Sequence, residues 1–289
     1  MHHFLPTSPR LRGICLLLLA STLWSTGGLF IKWVDWNPLA IAGCRSAIAA
    51  LVIAFSFRSA SVRWKSKPLL LGAVCYAGTM LTFVAATKLT TAANAILLQY
   101  TSPVYVAILG ALFLREKVTL RDVLTLLCVA GGMYLFFQDQ MSPGHLYGNL
   151  LAIACGMISA VMIVALRRQK NASPFGSILL GNVLTFFCGL PFMFAGQPSL
   201  RGWLALLILG VFQLGISFVL YSIAIKSVTA LEASVITMLE PLLNPVWVFL
   251  FLGEQPSSSA LLGGAILLLA LSARFLVPER KKKTTPLAS

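Results

Sequence analysis

Apolar residues in this chain come in stretches of about 20, each closed by a short polar or charged break, with no period-two alternation. Barrel strands would be about half that length and would alternate. The pattern therefore predicts helices, which satisfy their own backbone polar groups in hydrocarbon. Ten spans are expected, at about 13–33, 38–57, 69–87, 92–114, 120–137, 148–166, 175–195, 202–223, 230–252 and 259–276. The joins near Lys88 and Lys226 are the shortest, and the loops leave no soluble catalytic domain inside the chain.

The pattern also repeats. Residues Gly72–Glu116 and Gly210–Glu254 align without a gap at an offset of 138, with eleven of forty-five columns identical. Identical pairs include Gly72/Gly210, Ala86/Ala224, Lys88/Lys226, Thr91/Thr229, Pro103/Pro241 and Glu116/Glu254. Gly13 with Gly148 at offset 135 and Pro38 with Pro174 at offset 136 extend the match toward the start of each half. The halves are 13–137 and 148–276, flanked by tails 1–12 and 277–289 and joined by Gln138–Tyr147, which carries Pro143 and Gly144. Five spans per half is an odd number, so the second copy enters the membrane from the other side. The expected fold is an all-α polytopic membrane protein of two inverted five-helix repeats, with a binding site between them.

Composition agrees. The 289 residues are 58% hydrophobic and only 10% charged, where a soluble domain has about a quarter charged. A net charge of +14 raises nucleic acid as a partner, but its distribution argues against it. Eighteen of the 22 Lys and Arg residues fall on the side of both termini, among them Arg10, Arg121, Arg167 and Lys226. Three, Lys32, Lys88 and Arg201, fall on the other side, and Arg45 lies within a span. The positive-inside rule then puts both termini in the cytoplasm, in a multi-pass chain of the cytoplasmic (inner) membrane. The six cysteines lie in apolar spans with no C-x-x-C pair, and no metal site or cofactor is expected. The first span follows Arg10 and Arg12 as a signal peptide would, but it is long and is taken as a retained anchor.

Polar side chains inside spans are costly and face the protein interior. Gln99 and Ser102 lie three apart on the fourth span, beside Tyr100 and Pro103; Thr237, Glu240 and Asn244 share a face of the ninth, beside Pro241. Cys75, Thr79 and Phe83 on the third span match Gln213, Ser217 and Tyr221 on the eighth. Spans three, four, eight and nine are thus expected to line a central cavity, although hydrogen-bonded helix packing explains any single polar residue. Each proline removes an intrahelical bond, and the freed carbonyls of Gln99 and Thr237 are expected to point toward the polar faces. Trp24, with Tyr76, Phe83, Tyr100 and Tyr221, suggests an aromatic wall.

Two charges sit near mid-span. Glu240 has three open roles: binding a substrate ammonium, carrying a coupling proton, or supporting the helix break. Arg45 binds a carboxylate, pairs with Glu240 or snorkels, and the last two are the plainer expectations.

These residues resemble the drug/metabolite transporter superfamily, in particular its ten-helix EamA-like exporters. The carriers are Leu23-Trp24-Ser25, Arg45, Thr91–Ala95, Pro103, Arg115-Glu116, Ala230–Ala233, Glu240-Pro241 and Gly253-Glu254. Arg115 departs from the family's glycine before glutamate, which Gly253 keeps. The resemblance implies an inner-membrane exporter of small metabolites, often amino acids or amines, with peripheral fifth and tenth spans. The four-helix efflux branch uses an acidic residue in its first span; none lies between Gly13 and Ile31, so that proton mechanism does not carry over.

The sequence therefore points to a secondary transporter, not an enzyme, that exports small metabolites, foremost amino acids with apolar or aromatic side chains, by alternating access about a midplane cavity. Proton coupling and oligomeric state stay open. A drug or nucleotide-sugar exchanger is the rival on the same scaffold. A passive channel and an intramembrane enzyme are rivals of other classes, and the enzyme would need paired catalytic groups that the spans do not show.

Overall fold

The computed structural model describes residues 8–57, 62, 64–90, 92–138, 145–171, 173–243, 247 and 258–276. Among them every regular element is helical. The first span is α1 (Pro9–Trp24) and α2 (Gly27–Trp33), parted where the hydroxyls of Ser21, Thr22, Ser25 and Thr26 bond back to carbonyls of their own helix. The second is α3 (Pro38–Ser56), opened by Pro38 and an Asn37 side chain that accepts from the Leu39 N–H. The third is α4 (Lys67–Leu89). The fourth is α5 (Ala92–Gln99) and α6 (Ser102–Leu109), which runs into a π turn at Gly110–Leu114. The fifth is α7 (Leu120–Phe137), started by a Thr119–Asp122 capping box.

The second half follows the same order. It has α8 (Leu146–Arg168) and then α9 (Pro174–Gly189) with a 3-10 turn at Leu190–Phe194. The eighth span is α10 (Leu200–Ile208), a π segment at Leu209–Ile216 and α11 (Ser217–Ala224). The ninth is α12 (Ala230–Ile236) and α13 (239–243), and the tenth is α14 (Ser258–Leu276). Seven of the described helical runs are long and apolar enough to cross a bilayer: Pro9–Trp33, Pro38–Ser56, Lys67–Leu89, Asn94–Leu114, Leu146–Arg168, Pro174–Phe194 and Leu200–Ala224. Helices also stand at the fifth, ninth and tenth expected places, but their described residues do not make spans by that measure, so seven of the ten expected spans are seen.

The packing has the symmetry of an inverted duplication. α4 lies along α8, and α1 lies along α11; exchanging the halves converts one pairing into the other. In the same way α3 packs on the π segment of the eighth span while α9 packs on α4. The pairs α3/α9 and α7/α14 map onto themselves, and α14 packs principally on α7, which leaves the fifth and tenth spans at the edge. Two glycines show why the duplicated positions matter. A Cβ on Gly148 would lie 2.8 Å from the Leu89 carbonyl carbon, and one on Gly13 would lie 3.2 Å from Val228 Cγ1 and 3.3 Å from the Ala224 carbonyl. Each half's first helix closes against the end of the other half's third span; at Gly148 a Cβ would clash with backbone, and at Gly13 it would make only a tight contact.

The two faces carry separate polar clusters. On one, Arg10 pairs with Glu232 at 2.5 Å and Arg167 with Glu116 at 3.0 Å. There Glu116 also accepts from the Ala230 N–H, and Arg167 donates to the carbonyls of Ile225 and Lys226. On the other, Lys88 donates to the Val34 carbonyl, the Thr90 hydroxyl donates to Asn149, and Arg201 stacks over the Trp33 ring at 4.3 Å. Lys88 and its repeat partner Lys226 thus stand at opposite ends of the bundle. Arg115, where the resembled family has glycine, adopts a left-handed conformation with φ of 56° at the end of the π turn.

Candidate functional site

The helix breaks of spans four and nine come just before their prolines. Pro103 has no N–H to return to the Gln99 carbonyl, and the chain turns at Tyr100–Thr101. Pro241 does the same to the Thr237 carbonyl, and the chain turns at Thr237–Met238. The two freed carbonyls meet different fates. That of Thr237 accepts from the Glu240 N–H at 3.0 Å and lies 3.0 Å from the Tyr100 hydroxyl. That of Gln99 does not point toward the polar face as expected. It lies against α8, where a Cβ on Gly156 would come within 2.7 Å of it. The close α5/α8 packing claims that carbonyl.

Tyr100 bridges the halves. Its hydroxyl donates to Glu240 Oε2 at 2.6 Å, so the carboxylate at the broken ninth span is held by a ring from the broken fourth. Arg45, on α3, is fully buried. Its Nη1 donates to Gln213 Oε1 at 3.2 Å, and its Nη2 reaches the Met80 sulfur at 3.8 Å. Its Nε has no hydrogen-bond partner among the described residues. Arg45 therefore neither snorkels nor pairs with Glu240, contrary to the plainer expectations: no side-chain atom reaches the surface, and the two described ion pairs lie elsewhere. Gln213, held in the π segment, takes only the Nη1 corner of the guanidinium. Such π segments gather at functional sites.

These groups surround one cavity of about 80 Å³, room for roughly five waters. Trp24, Arg45, Thr79, Phe83, Gln99, Tyr100, Gln213, Tyr221, Thr237 and Glu240 all line it, as does Ser102. Pro103, Pro241 and Ser217 do not; the prolines act through the breaks, and the Ser217 hydroxyl is spent on the Gln213 carbonyl of its own helix. Thr79 likewise donates to the Cys75 carbonyl. Asn244 lies outside the described residues. The aromatic wall exists but centres on Phe218: its ring is 4.9 Å from Trp24, 4.8 Å from Tyr76 and 6.0 Å from Tyr221. Tyr76 packs behind this wall without lining the cavity.

Spans one, two and six join the four expected to line the cavity. Ser159, Met162 and Ile163 on α8 were not singled out by sequence. A signal existed: at the offset of 135 that aligns Gly13 with Gly148, Ser159 is the repeat partner of Trp24. Met80, Leu214 and Phe218 carry no polar mark and are found only by packing. No His, Cys, Asp and Glu cluster suited to a metal occurs among the described residues. A larger hollow of about 580 Å³ opens beside Glu116, Arg121 and Thr229, separate from the polar cavity.

The EamA-like transporter family matches this chain twice, over residues 11–138 and 146–274. An uncharacterized transporter of Archaeoglobus fulgidus is 29% identical over 259 residues, covering 89% of this chain and 93% of that protein. The pseudopaline exporter CntI of Pseudomonas aeruginosa is 28% identical over 275 residues, 90% of this chain and 95% of its own length. A solved crystal structure superposes with a TM-score of 0.80 over 94% of this chain and all of its own, at 22% identity, a likeness of fold.

Proposed function

The chain belongs to the EamA-like transporter family, and on that premise we propose that it exports small amphiphilic metabolites, foremost amino acids with apolar or aromatic side chains. Export runs outward across the cytoplasmic membrane, with both termini on the cytoplasmic side. The observation that carries this reading is one cavity between the halves lined by a cation, Arg45, a carboxylate, Glu240, and an aromatic wall of Trp24, Phe218 and Tyr221. A zwitterion with an apolar side chain matches that distribution: each charged end meets the opposite charge and the side chain meets the rings. The similarity to a pseudopaline exporter supports outward movement of a metabolite.

Alternating access follows from the duplication. Two halves of the same architecture take slightly different shapes, and exchanging the shapes opens the site to the other side. The inverted pair of halves around the cavity favours a carrier over a passive channel. Substrate enters when the halves move apart.

Counterflow in proteoliposomes tests the reading. Labelled phenylalanine or leucine should enter vesicles preloaded with the unlabelled compound, saturably and with trans-stimulation. Counterflow of nucleotide sugars instead, with none of amino acids, would replace this substrate class. Linear, non-saturable entry without trans-stimulation would identify a channel.

A further inference from the structure

We propose that Arg10, Glu116, Arg167 and Glu232 form a latch that closes the cytoplasmic end of the bundle, and that the half-helix α12 is the leaf it holds shut. This rests on the carrier reading and its sidedness, and adds which contacts must break before the cavity meets the cytoplasm.

Both ion pairs join the halves. Arg10 belongs to the first half and Glu232 to the second; Glu116 belongs to the first and Arg167 to the second. Their bonds converge on the start of α12. Arg10 Nε and Nη2 both donate to Glu232 Oε1, the former at 3.1 Å, while Glu232 Oε2 accepts the Thr229 N–H of its own cap at 2.9 Å. Glu116 Oε2 accepts the Ala230 N–H at 2.9 Å, and its Oε1 accepts from Arg167 Nε at 3.0 Å. Arg167 also grips the Ile225 and Lys226 carbonyls, in the link between α11 and α12. Two carboxylates thus satisfy N–H groups that the helix itself leaves open at its start, and each is tied to an arginine of the opposite half.

The leaf lies between this latch and the cavity. All seven residues of α12, Ala230–Ile236, are buried. About 10 Å of helix runs from its start to the break at Thr237–Met238. Thr237 and Glu240, at and just beyond that break, line the cavity. The break supplies the hinge that a swinging half-helix needs.

Charge suits a closure that must reopen. When the halves part at this end, Glu232 keeps its cap and Arg167 keeps its two carbonyls, because both lie within the second half. What breaks is the Arg10–Glu232 pair and the two bonds of Glu116. Ion pairs that part into water are solvated again, so the exchange costs little in either direction. An apolar closure would expose hydrocarbon to water instead.

The opposite end repeats the arrangement with neutral groups. Asn94 is the repeat partner of Glu232 at the offset of 138. Its Nδ2 donates to Asn149 Oδ1 at 3.2 Å, on the first helix of the other half, and the Thr90 hydroxyl donates to the same oxygen at 2.8 Å. One position of the duplicated sequence therefore ties the fourth span of each half to the first helix of the other, at opposite faces.

The test is thiol accessibility of the cavity. In a cysteine-free background, Ser159→Cys places the reporter, and a methanethiosulfonate ethyltrimethylammonium reagent is applied to inside-out or right-side-out vesicles. Arg10→Gln, Glu232→Gln and Glu116→Gln should each raise the modification rate from the cytoplasmic side threefold or more and lower it from outside. The Arg10→Gln/Glu232→Gln double variant should match the singles, since one bond is lost in all three. Asn94→Ala should do the reverse, raising the outside rate and lowering the cytoplasmic one. The Arg10 side chain is 37% exposed, so its replacement leaves the packing in place even if Glu232→Gln fails to fold. Unchanged rates in Arg10→Gln overturn the latch, as do equal rises from both sides, which mark a loosened fold. A rise from outside alone overturns the cytoplasmic placement. The readout needs no substrate, so failure of amino-acid counterflow removes the substrate assignment and leaves the latch standing.

Discussion

The Tyr100 hydroxyl donates to the Glu240 carboxylate at 2.6 Å across the interface between the two halves. It joins two helix breaks that the duplication placed at matching positions, one just before Pro103 and one just before Pro241. A hydrogen bond to a charged group contributes about 1.5–3 kcal/mol. Tyr100→Phe should therefore lower thermal stability by that amount and leave the fold intact. An unchanged melting temperature in detergent would show that the bond is not held in the dominant conformation.

Glu240→Gln keeps the shape and removes the charge. If the carboxylate meets the substrate ammonium or a coupling proton, flux in proteoliposomes should fall on the order of tenfold, equivalent to about 1.4 kcal/mol, at unchanged expression. Full flux would leave Glu240 with only its bond to Tyr100.

The helix junction at Gly148 is a steric prediction with a built-in control. Gly148→Ala forces a methyl to 2.8 Å from the Leu89 carbonyl carbon, and overpacking of this kind costs about 1–3 kcal/mol. Gly131→Ala, on α7, meets nothing within 4 Å and should be neutral or slightly stabilising, since alanine is the better helix former. Thermal unfolding of the two variants side by side checks the contrast.

Arg115 holds a left-handed backbone at φ of 56°, a conformation that costs a non-glycine residue about 1–2 kcal/mol. Arg115→Gly should raise the melting temperature without altering substrate preference. A loss of stability would mean that the arginine side chain contributes more than its backbone costs.

Topology can be read by labelling. Arg12→Cys and Lys226→Cys, in a cysteine-free background, should react with an impermeant maleimide only from the cytoplasm. Lys32→Cys and Gly196→Cys should react only from outside. Labelling of Arg12→Cys and Lys226→Cys from opposite sides would break the inverted arrangement.

Much of the architecture was legible in the chain. Apolar length defined the spans, the offset of 138 exposed the duplication, and an odd number of spans per half required the inversion that the α4/α8 and α1/α11 pairings display. Most of the cavity was legible as well, because Gln99, Thr237 and Glu240 are expensive in hydrocarbon and so announce an interior position. Phe218 and Met80 were not, since an apolar residue costs nothing wherever it faces in a bilayer. The π segment that presents Gln213 was equally hidden, for it depends on how the eighth span is gripped by α3.

The order of residues by itself determined that this chain lies in a membrane, that its halves are copies, and which side chains cannot face lipid. Those are matters of transfer free energy and periodicity, local to each stretch. Only the tertiary structure decided what each polar group meets: that Arg45 is held by Gln213 and not by Glu240, and that Tyr100 takes the carboxylate. A hydrogen bond requires its partners within about 3 Å and in line. Between residues more than a hundred positions apart, only the packing of helices sets that distance.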